Sequence, residues 1–462
     1  MAKPCGESRR EHLLKIGVSG VRGVVGDFLT PAIATAFAQA FGTYVGGGPV
    51  VLGRDTRASG AMLVHAVTGG LLASGCEVVQ VGVLPTPTIQ VYVSATGARG
   101  GLAITASHNP PEYNALKLFN VRGLFFNGYE RAELVDLYHQ RAFRESVNAE
   151  MRGIVDASHL APRIHLDRVL GLVDVPRIRT RRMRVALDAV NGAASVMSCT
   201  FLRDDLGCEL HAIAVDPSRP FPRDPEPRAD TLTDLARLVV ETGADIGFGQ
   251  DPDGDRLAIV DETGRVLDND DVLAMVVDSA LPRLHGDVVV NLTTSSAIDD
   301  IARAQGRRVH RTPVGEANVV EMMEAVGAAI GGEGSNGGVI CRQVHLCRDS
   351  FAAMALVLDR VAATGLPVSQ LAAKLPRYVR RQGKVPFEHG RLGRLVQQLV
   401  EALPEAEADT SDGLKLSLPG GWIHVRASNT EPVLRIAAEA PDRDVADELY
   451  EKALALASLE QP

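Results

Sequence analysis

Three stretches of this chain repeat one plan. VVLGRDTRASGAML (50–63), RVALDAVNGAASVM (184–197) and DVVVNLTTSSAIDD (287–300) each run from a short β-branched strand through a polar loop into a helical pattern. LLASGCEVVQVGVLPTP, FLRDDLGCELHAIAVDP and IARAQGRRVHRTPVG then each read helix, glycine stop, strand, loop. Gly75, Gly207 and Gly306 have the placement of residues that end a helix in a left-handed turn. Leu63, Val67 and Leu71 lie four apart and form one buried helix stripe. Each unit closes on Gly-Ala, an apolar strand and a polar loop: GARGGLAITASHNP, GADIGFGQDPDGDR and GAAIGGEGSNGG. Repeats on this scale dictate the fold. Strands alternating with helices give α/β domains with largely parallel, mixed sheets. Ligands gather at the carboxyl ends of strands in such sheets, where all three distinctive loops fall. The pattern predicts three related α/β domains that present three loops to one cleft.

The last ninety or so residues break the pattern. A helical segment (389–403) leads into TSDGLKLSLPGGWIHVRASNTEPVLRIAAEA, whose Asp412-Gly413 and Pro419-Gly420-Gly421 punctuate alternating strands, and a helix (443–457) closes the chain. This reads as an α+β domain joined by a linker near 366–386, where Pro367, Pro376 and Pro386 fall. The expected domains are 1–150, 151–260, 261–368 and 369–462. A chain of 462 residues is long enough for several cores. A net charge of −9 argues against nucleic acid as a partner. The six cysteines make no C-x-x-C pair, which suits a reducing, cytoplasmic setting better than a zinc module or disulfide framework. The N-terminal MAKPCGESRREHLLK has no apolar core for a secretory signal, and no apolar run is long enough to span a membrane. No sequence feature specifies an oligomeric state.

Four loops carry candidate chemistry. In TASHNP (105–110), Pro110 and Pro111 stop helix formation and stiffen a turn at a strand mouth, placing Ser107 on a surface loop. In DPDGDR (251–256), Asp251, Asp253 and Asp255 alternate around Gly254. Three carboxylates this close repel unless a cation joins them, and oxygen ligands suit Mg²⁺ or Ca²⁺. An EF-hand is rejected, because Arg256 stands where its glycine is required and strands flank the loop. A solvated acidic turn is the plain alternative, against which Arg256 adds a phosphate fork. GGEGSNGG (331–338) lacks the Gly-Lys-Ser/Thr of a P-loop. Glu333 and Ser335 suit hydrogen bonds to a polyol, or the loop is a connector. In RASNTEP (426–432), Arg426, Ser428, Asn429 and Thr430 suit a phosphate monoester, or an Asx or Ser/Thr turn. GVSGVRG (17–23) offers Arg22, or simply leads to a helix start at Thr30-Pro31. No nucleophile elbow surrounds Ser107. A serine that carries a phosphoryl group beside Mg²⁺ fits all four loops, since phosphoryl transfer needs mainly positioning and charge neutralisation.

With these motifs in this order, the chain resembles the α-D-phosphohexomutases: phosphoglucomutase, phosphomannomutase and phosphoglucosamine mutase. TASHNP resembles their phosphoserine loop, DPDGDR the magnesium loop, GEGSNGG the sugar loop and RASNTEP the phosphate loop. The resemblance implies four domains around a central cleft. Ser107 would be the phosphorylated residue, and Asp251, Asp253 and Asp255 would hold Mg²⁺ with a phosphoserine oxygen. His108 and Lys117 would flank the transferring group, one of them assisting proton transfer. Arg22 and Arg256 would support the reactive phosphate. Glu333 and Ser335 would grip sugar hydroxyls, and Arg426, Ser428, Asn429 and Thr430 the non-reacting phosphate. The partner implied is a small sugar phosphate, with a hexose 1,6-bisphosphate as activator and intermediate.

The sequence departs from the family pattern in three places. The sugar loop, Glu333-Gly-Ser335-Asn336-Gly337, has no histidine. Thr293 or Thr294 stands where a lysine is common. Val18 replaces the threonine of the first loop. The glycine- and asparagine-rich sugar loop is most similar to archaeal-type phosphoglucosamine mutases. Two other readings stand beside a mutase: a sugar phosphatase, in which water discharges the phosphoserine, and a non-catalytic sugar-phosphate sensor.

Overall fold

The computed structural model describes residues 15–17, 20–147, 152–387, 389–428 and 432–459. They form two compact units, one built from the chain up to Leu267 with Gln343–Pro367, the other from Asp268–Arg342 with the chain from Val368 onward.

The first unit contains two sheets. The larger has seven strands in the order Lys15–Gly17, Gly20–Val24, Tyr113–Phe119, Gly100–Ile104, Gly48–Arg54, Cys76–Val83, Ile154–Asp156. Gly48–Arg54 pairs in parallel with Cys76–Val83 and with Gly100–Ile104, and the latter pairs antiparallel with Tyr113–Phe119. Val50, Val51 and Leu52 are all buried, as expected of a central strand covered on both faces. The second sheet repeats that four-strand order: Glu209–Ile213, Arg184–Asp188, Ile246–Gln250, then antiparallel Leu257–Asp261. The helix Gly60–Ala73 buries Leu63, Val67 and Leu71 as its periodicity predicts. Thr30 caps Pro31–Tyr44, its hydroxyl accepting from the Ile33 amide at 3.3 Å. Gly75, Gly207 and Gly306 all have positive φ, between 67° and 76°, as the helix-stop reading requires.

In the second unit, Val309–Thr312, Val288–Asn291, Ile330–Glu333 and antiparallel Gly338–Cys341 give the same order a third time. The repeat is therefore structural. In each copy the candidate loop is the connection from the third strand to the antiparallel fourth.

The remaining sheet is antiparallel: Val379–Pro386, Val433–Ala440, Gly421–Ala427, Leu414–Leu418, Glu407–Asp409. Helices Leu392–Ala402 and Arg443–Leu459 contribute Leu395, Leu399, Leu449, Ala453 and Ala457 to a core with Ile423, Val425, Leu434 and Ile436. Much of the expected linker is thus structured. Val379–Pro386 is an edge strand registered along its whole length with Val433–Ala440. Pro386 suits the end of an edge strand, where a missing donor is tolerated. The helix Ser350–Thr364 belongs to the first unit, where Phe351 meets the rings of His165 and Phe201 at 5.5 and 5.7 Å between centroids.

Candidate active site

The fully buried strand Gly100–Ile104 ends at Thr105, and the chain turns sharply at Ser107. Ser107 has φ 50°, a left-handed conformation that costs a non-glycine residue about 1–3 kcal/mol and needs outside support. That support is specific. The Ser107 amide donates to Thr105 Oγ1 at 3.0 Å, and Thr105 Oγ1 donates to Asp55 Oδ2 at 2.6 Å. Asp55 pairs with Arg57 at 3.0 Å, both side chains wholly buried. The Arg57 guanidinium donates to the carbonyls of Ser107, Asn109 and Pro110, each at 2.6 Å, and of Tyr113 at 3.1 Å. Phe221 packs against it, 5.2 Å from ring centroid to guanidinium carbon. Ser107 is not surface-exposed as the polar loop suggests: it is 6% exposed, because this network draws the loop inward.

The acidic loop meets it there. Ser107 Oγ donates to Asp251 Oδ2 at 2.7 Å. Asp251 Oδ1 accepts the amides of Asp255 and Arg256, both at 3.1 Å, which folds the loop around Gly254 at φ 66°. Thr86 ties down Asp253, donating from its amide to the carbonyl at 2.9 Å and from its hydroxyl to Oδ2 at 2.6 Å. Lys117, placed opposite Ala103 by the strand register, donates to Oδ2 of Asp253 at 2.6 Å and of Asp255 at 3.1 Å.

These residues fit a hard divalent cation. Ligand oxygens of Asp251, Asp253 and Asp255 lie within 4.8 Å of one another. All three residues are buried, and Oδ1 of Asp253 and of Asp255 has no hydrogen-bond partner. Burial, with Asp253 and Asp255 alongside, raises the Asp251 pKa well above the ordinary carboxylate value. Burial is the largest influence on Asp253 and opposes its ionisation, but the Lys117 charge together with hydrogen bonds from Asp251, Lys117 and Thr86 outweighs it and holds that pKa low. Lys117 is raised despite burial, because Asp253 and Asp255 face it.

A cavity of about 200 Å³ opens beside Ser107, lined among others by His108, Lys117, Arg22, Arg256 and Arg348. Arg22 donates to Asn109 Oδ1 at 2.9 Å. Arg256 is bonded to Glu226, whose other carboxylate oxygen lies 3.8 Å from His108 Nε2. His108 Nδ1 is 3.4 Å from Ser107 Oγ. Burial, then the Arg256 and Arg348 charges, pushes the His108 pKa down to about 2. The first unit thus brings together Ser107, His108, Lys117, the three aspartates, Arg22 and Arg256. Sequence reasoning misses Asp55, Arg57, Thr86, Glu226 and Arg348. GRDTR (53–57) does stand at the carboxyl end of a strand, where a ligand-side role could have been suspected. No local signal marks Thr86, Glu226 or Arg348.

The second unit holds the other two loops. Glu333 is buried, its Oε1 accepting Asn291 Nδ2 at 3.1 Å and the Gly315 amide at 2.8 Å. Exposed Ser335 lines a cavity of about 470 Å³ with Thr293, Arg380, Lys384, His424, Arg426 and Arg435. Thr293, rather than fully buried Thr294, is the threonine at this pocket. Strand register sets Lys384 opposite Arg435, and Arg435 opposite Arg426. Like charges on directly opposed residues of neighbouring strands repel one another, a repulsion that a bound anion would relieve. Asp412 accepts from Arg426 Nε at 2.8 Å. Ser428 is buried, its amide donating to the Val433 carbonyl at 2.8 Å. Asn429 and Thr430 lie outside the described residues, as does Val18.

The chain matches, in order along its length, domains described as "Phosphoglucomutase/phosphomannomutase, alpha/beta/alpha" domain I (residues 13–145), domain II (163–264) and domain III (268–378), and the C-terminal domain of the same name (385–456). It belongs to the phosphoglucomutase/phosphomannomutase family. A probable phosphoglucosamine mutase of Methanopyrus kandleri is 39% identical over 443 residues, covering 94% of this chain and 96% of that protein. A phosphoglucomutase/phosphomannomutase of Thermococcus kodakarensis is 37% identical over 450 residues, covering 95% and 97%. The crystal structure of a phosphoglucomutase/phosphomannomutase family protein from Burkholderia thailandensis aligns with TM-score 0.83 at 28% identity, over 96% of this chain and 97% of that one. An Aspergillus fumigatus N-acetylphosphoglucosamine mutase, solved with GlcNAc-6P and magnesium, shares the fold at TM-score 0.62 and 15% identity, over 98% and 97%. Among the described residues no helix is long and apolar enough to cross a membrane.

Proposed function

We propose that this member of the phosphoglucomutase/phosphomannomutase family is a phosphohexomutase, an isomerase that interconverts a hexosamine or hexose 6-phosphate and 1-phosphate through phosphorylated Ser107. The observation that carries the reading is the 2.7 Å bond from Ser107 Oγ to Asp251, inside an acid cluster with orphaned oxygens and beside Lys117.

Mg²⁺ held by Asp251, Asp253 and Asp255 would supply a positive charge against the transferring phosphoryl group. A sugar hydroxyl attacks the phosphorus of phospho-Ser107. The Ser107 Oγ–P bond breaks, the sugar O–P bond forms, and the hydroxyl proton ends on the released Ser107 Oγ. His108, with Nδ1 3.4 Å from the serine oxygen, and Lys117, which lines the same cavity, are the candidates to pass that proton. Arg22 and Arg256 support the phosphoryl oxygens. The product is a 1,6-bisphosphate. After it reorients, its other phosphate returns to Ser107 and the serine hydroxyl is consumed again. The same bisphosphate, added from solution, would load Ser107 and act as activator. Arg426 and Ser428, with Asn429 and Thr430, hold the non-reacting phosphate, and Glu333 and Ser335 the sugar hydroxyls. Lys384 and Arg435 join the phosphate-binding set, supported by their cross-strand registers.

Glucosamine phosphate is the substrate favoured. The histidine-free sugar loop and the Methanopyrus relative support it. The Thermococcus relative supports a second reading, a phosphomannomutase or phosphoglucomutase. Cys76, Cys199 and Cys208 are free thiols, which supports a cytoplasmic setting. The deciding assay gives each 1-phosphate with its 1,6-bisphosphate and compares kcat/KM. A highest value for glucosamine 1-phosphate supports the reading. Release of inorganic phosphate in place of the isomer would make the protein a phosphatase.

A further inference from the structure

We propose that Arg348 is a further phosphoryl-binding residue, a guanidinium that meets the group carried by Ser107 alongside Arg22 and Arg256; the inference rests on the mutase reading.

Arg348 immediately precedes Asp349, the N-cap of the helix Ser350–Thr364. Two residues fix its position. Asp349 Oδ1 accepts the Phe351 amide at 2.9 Å, and Asp349 Oδ2 meets His165 Nε2 at 2.9 Å in a fully buried contact. Ser350 Oγ donates to the Gly254 carbonyl at 2.7 Å and accepts from Gln250 Nε2 at 2.7 Å. The short run Arg348-Asp349-Ser350 is therefore fastened to the acidic loop itself. Arg348 is carried on rigid structure, which is what precise recognition of a charged group requires.

From there its side chain, 11% exposed, reaches Asp255 Oδ2 with Nη2 at 2.8 Å. It lines the same 200 Å³ cavity as Ser107, His108, Lys117, Arg22 and Arg256. A guanidinium has five N–H donors, so bonding Asp255 is compatible with bonding a phosphoryl oxygen. Lys117 already bonds the same Asp255 oxygen. A second cation there is more than a single carboxylate oxygen needs. It has a clear use when a dianionic phosphoryl group enters the cavity.

Two roles make opposite predictions. If Arg348 only orients Asp255, removing it weakens metal binding. If it serves the phosphoryl group, removing it takes a positive charge away from a metal ligand, and the metal binds at least as well. The test uses Arg348→Met and Arg348→Lys in the full chain. Mn²⁺ binding to dephosphorylated enzyme is followed by electron paramagnetic resonance. Loading of Ser107 from a hexose 1,6-bisphosphate is followed by intact mass, and kcat/KM is measured at saturating Mg²⁺. We expect Arg348→Met to lower kcat/KM roughly 10- to 100-fold, the loss of one charge-assisted hydrogen bond. Arg348→Lys should fall between Met and wild type, because it keeps the charge without the fork. Mn²⁺ affinity should be unchanged or tighter in Arg348→Met. Weaker Mn²⁺ binding with kcat/KM restored by excess metal overturns the proposal, as does unchanged kcat/KM in both variants. If Arg348→Met does not fold, an Arg348→Lys enzyme with wild-type kcat/KM and wild-type Ser107 loading overturns it too. Wild-type enzyme that cannot be loaded on Ser107 would bring down the mutase reading, and this inference with it; a loaded wild type beside an unaffected variant removes Arg348 alone.

Discussion

Arg57 donates to the backbone carbonyl of Ser107 at 2.6 Å across fifty residues of sequence, within a buried pair with Asp55. The left-handed turn that presents the serine is therefore held by a remote guanidinium. Arg57→Ala removes four carbonyl contacts and leaves Asp55 buried without its cation. Breaking a buried pair from one side costs about 3–5 kcal/mol. Urea unfolding should show a loss of that order, and Ser107 loading should slow in whatever enzyme remains folded. A stability within about 0.5 kcal/mol of wild type, the size of a surface-substitution effect, would contradict this clamp.

Ser107→Ala should abolish turnover and phosphorylation while leaving the fold in place. The hydroxyl's bond to Asp251 and its long 3.4 Å contact with His108 Nδ1 are lost, a net effect of about 1 kcal/mol. Intact mass after incubation with a hexose 1,6-bisphosphate should show a phosphoryl group on wild type alone. A phosphorylated or active variant would move the nucleophile elsewhere.

Asp253→Asn removes a carboxylate that would be a metal ligand in the proposed site, and the charge that Lys117 and Thr86 bond. Mn²⁺ binding should weaken and kcat should fall, with a higher Mg²⁺ requirement. Unchanged activity at limiting metal would remove the acid cluster from the chemistry.

Arg426→Ala and Lys384→Met address the cations set beside Arg435. Each should lower kcat/KM in both reaction directions, because in the proposed cycle the same clamp would receive the 1- and the 6-phosphate in turn. Glu333→Gln should change sugar preference more than phosphate dependence. Loss in one direction only, or an equal effect on every sugar, would end this division of labour.

Lys415 supplies a pH test of stability. Burial, then the Arg311 charge, pushes its pKa down to about 7, while its ammonium donates to the Leu292 carbonyl at 2.7 Å and lies 4.6 Å from the Trp422 ring centroid. The folded state then holds fewer protons than the unfolded one between about 7 and the ordinary lysine value of 10.5. Stability contributed at this site must rise with pH across that window, and the full penalty remains below it. Wild type minus Lys415→Met, measured by urea unfolding, should therefore shift in favour of wild type from neutral to alkaline pH. A difference independent of pH would refute the lowered value.

The loops and the elements around them are legible in the sequence, because they are written in neighbouring residues. Alternating strand and helix patterns, the glycines at 75, 207 and 306, and the acids at 251, 253 and 255 are local facts, and backbone preference and loop chemistry act over a few residues. Legibility fails where the deciding partner is distant. The prolines between 366 and 386 suggest a linker, yet pairing with Val433–Ala440 makes 379–386 a strand. The polarity of TASHNP suggests exposure, yet Asp55 and Arg57 draw Ser107 inside. Lys117 reaches Asp253 across 136 residues, and Arg348 reaches Asp255 across 93. Such meetings depend on strand register and on which sheet each helix covers, and one residue of register turns a side chain to the opposite face. The sequence by itself determined three α/β repeats, an α+β tail and the chemical character of each loop. Only the tertiary structure decided which charges meet, because an ion pair depends on distance in space and the chain records only distance along itself.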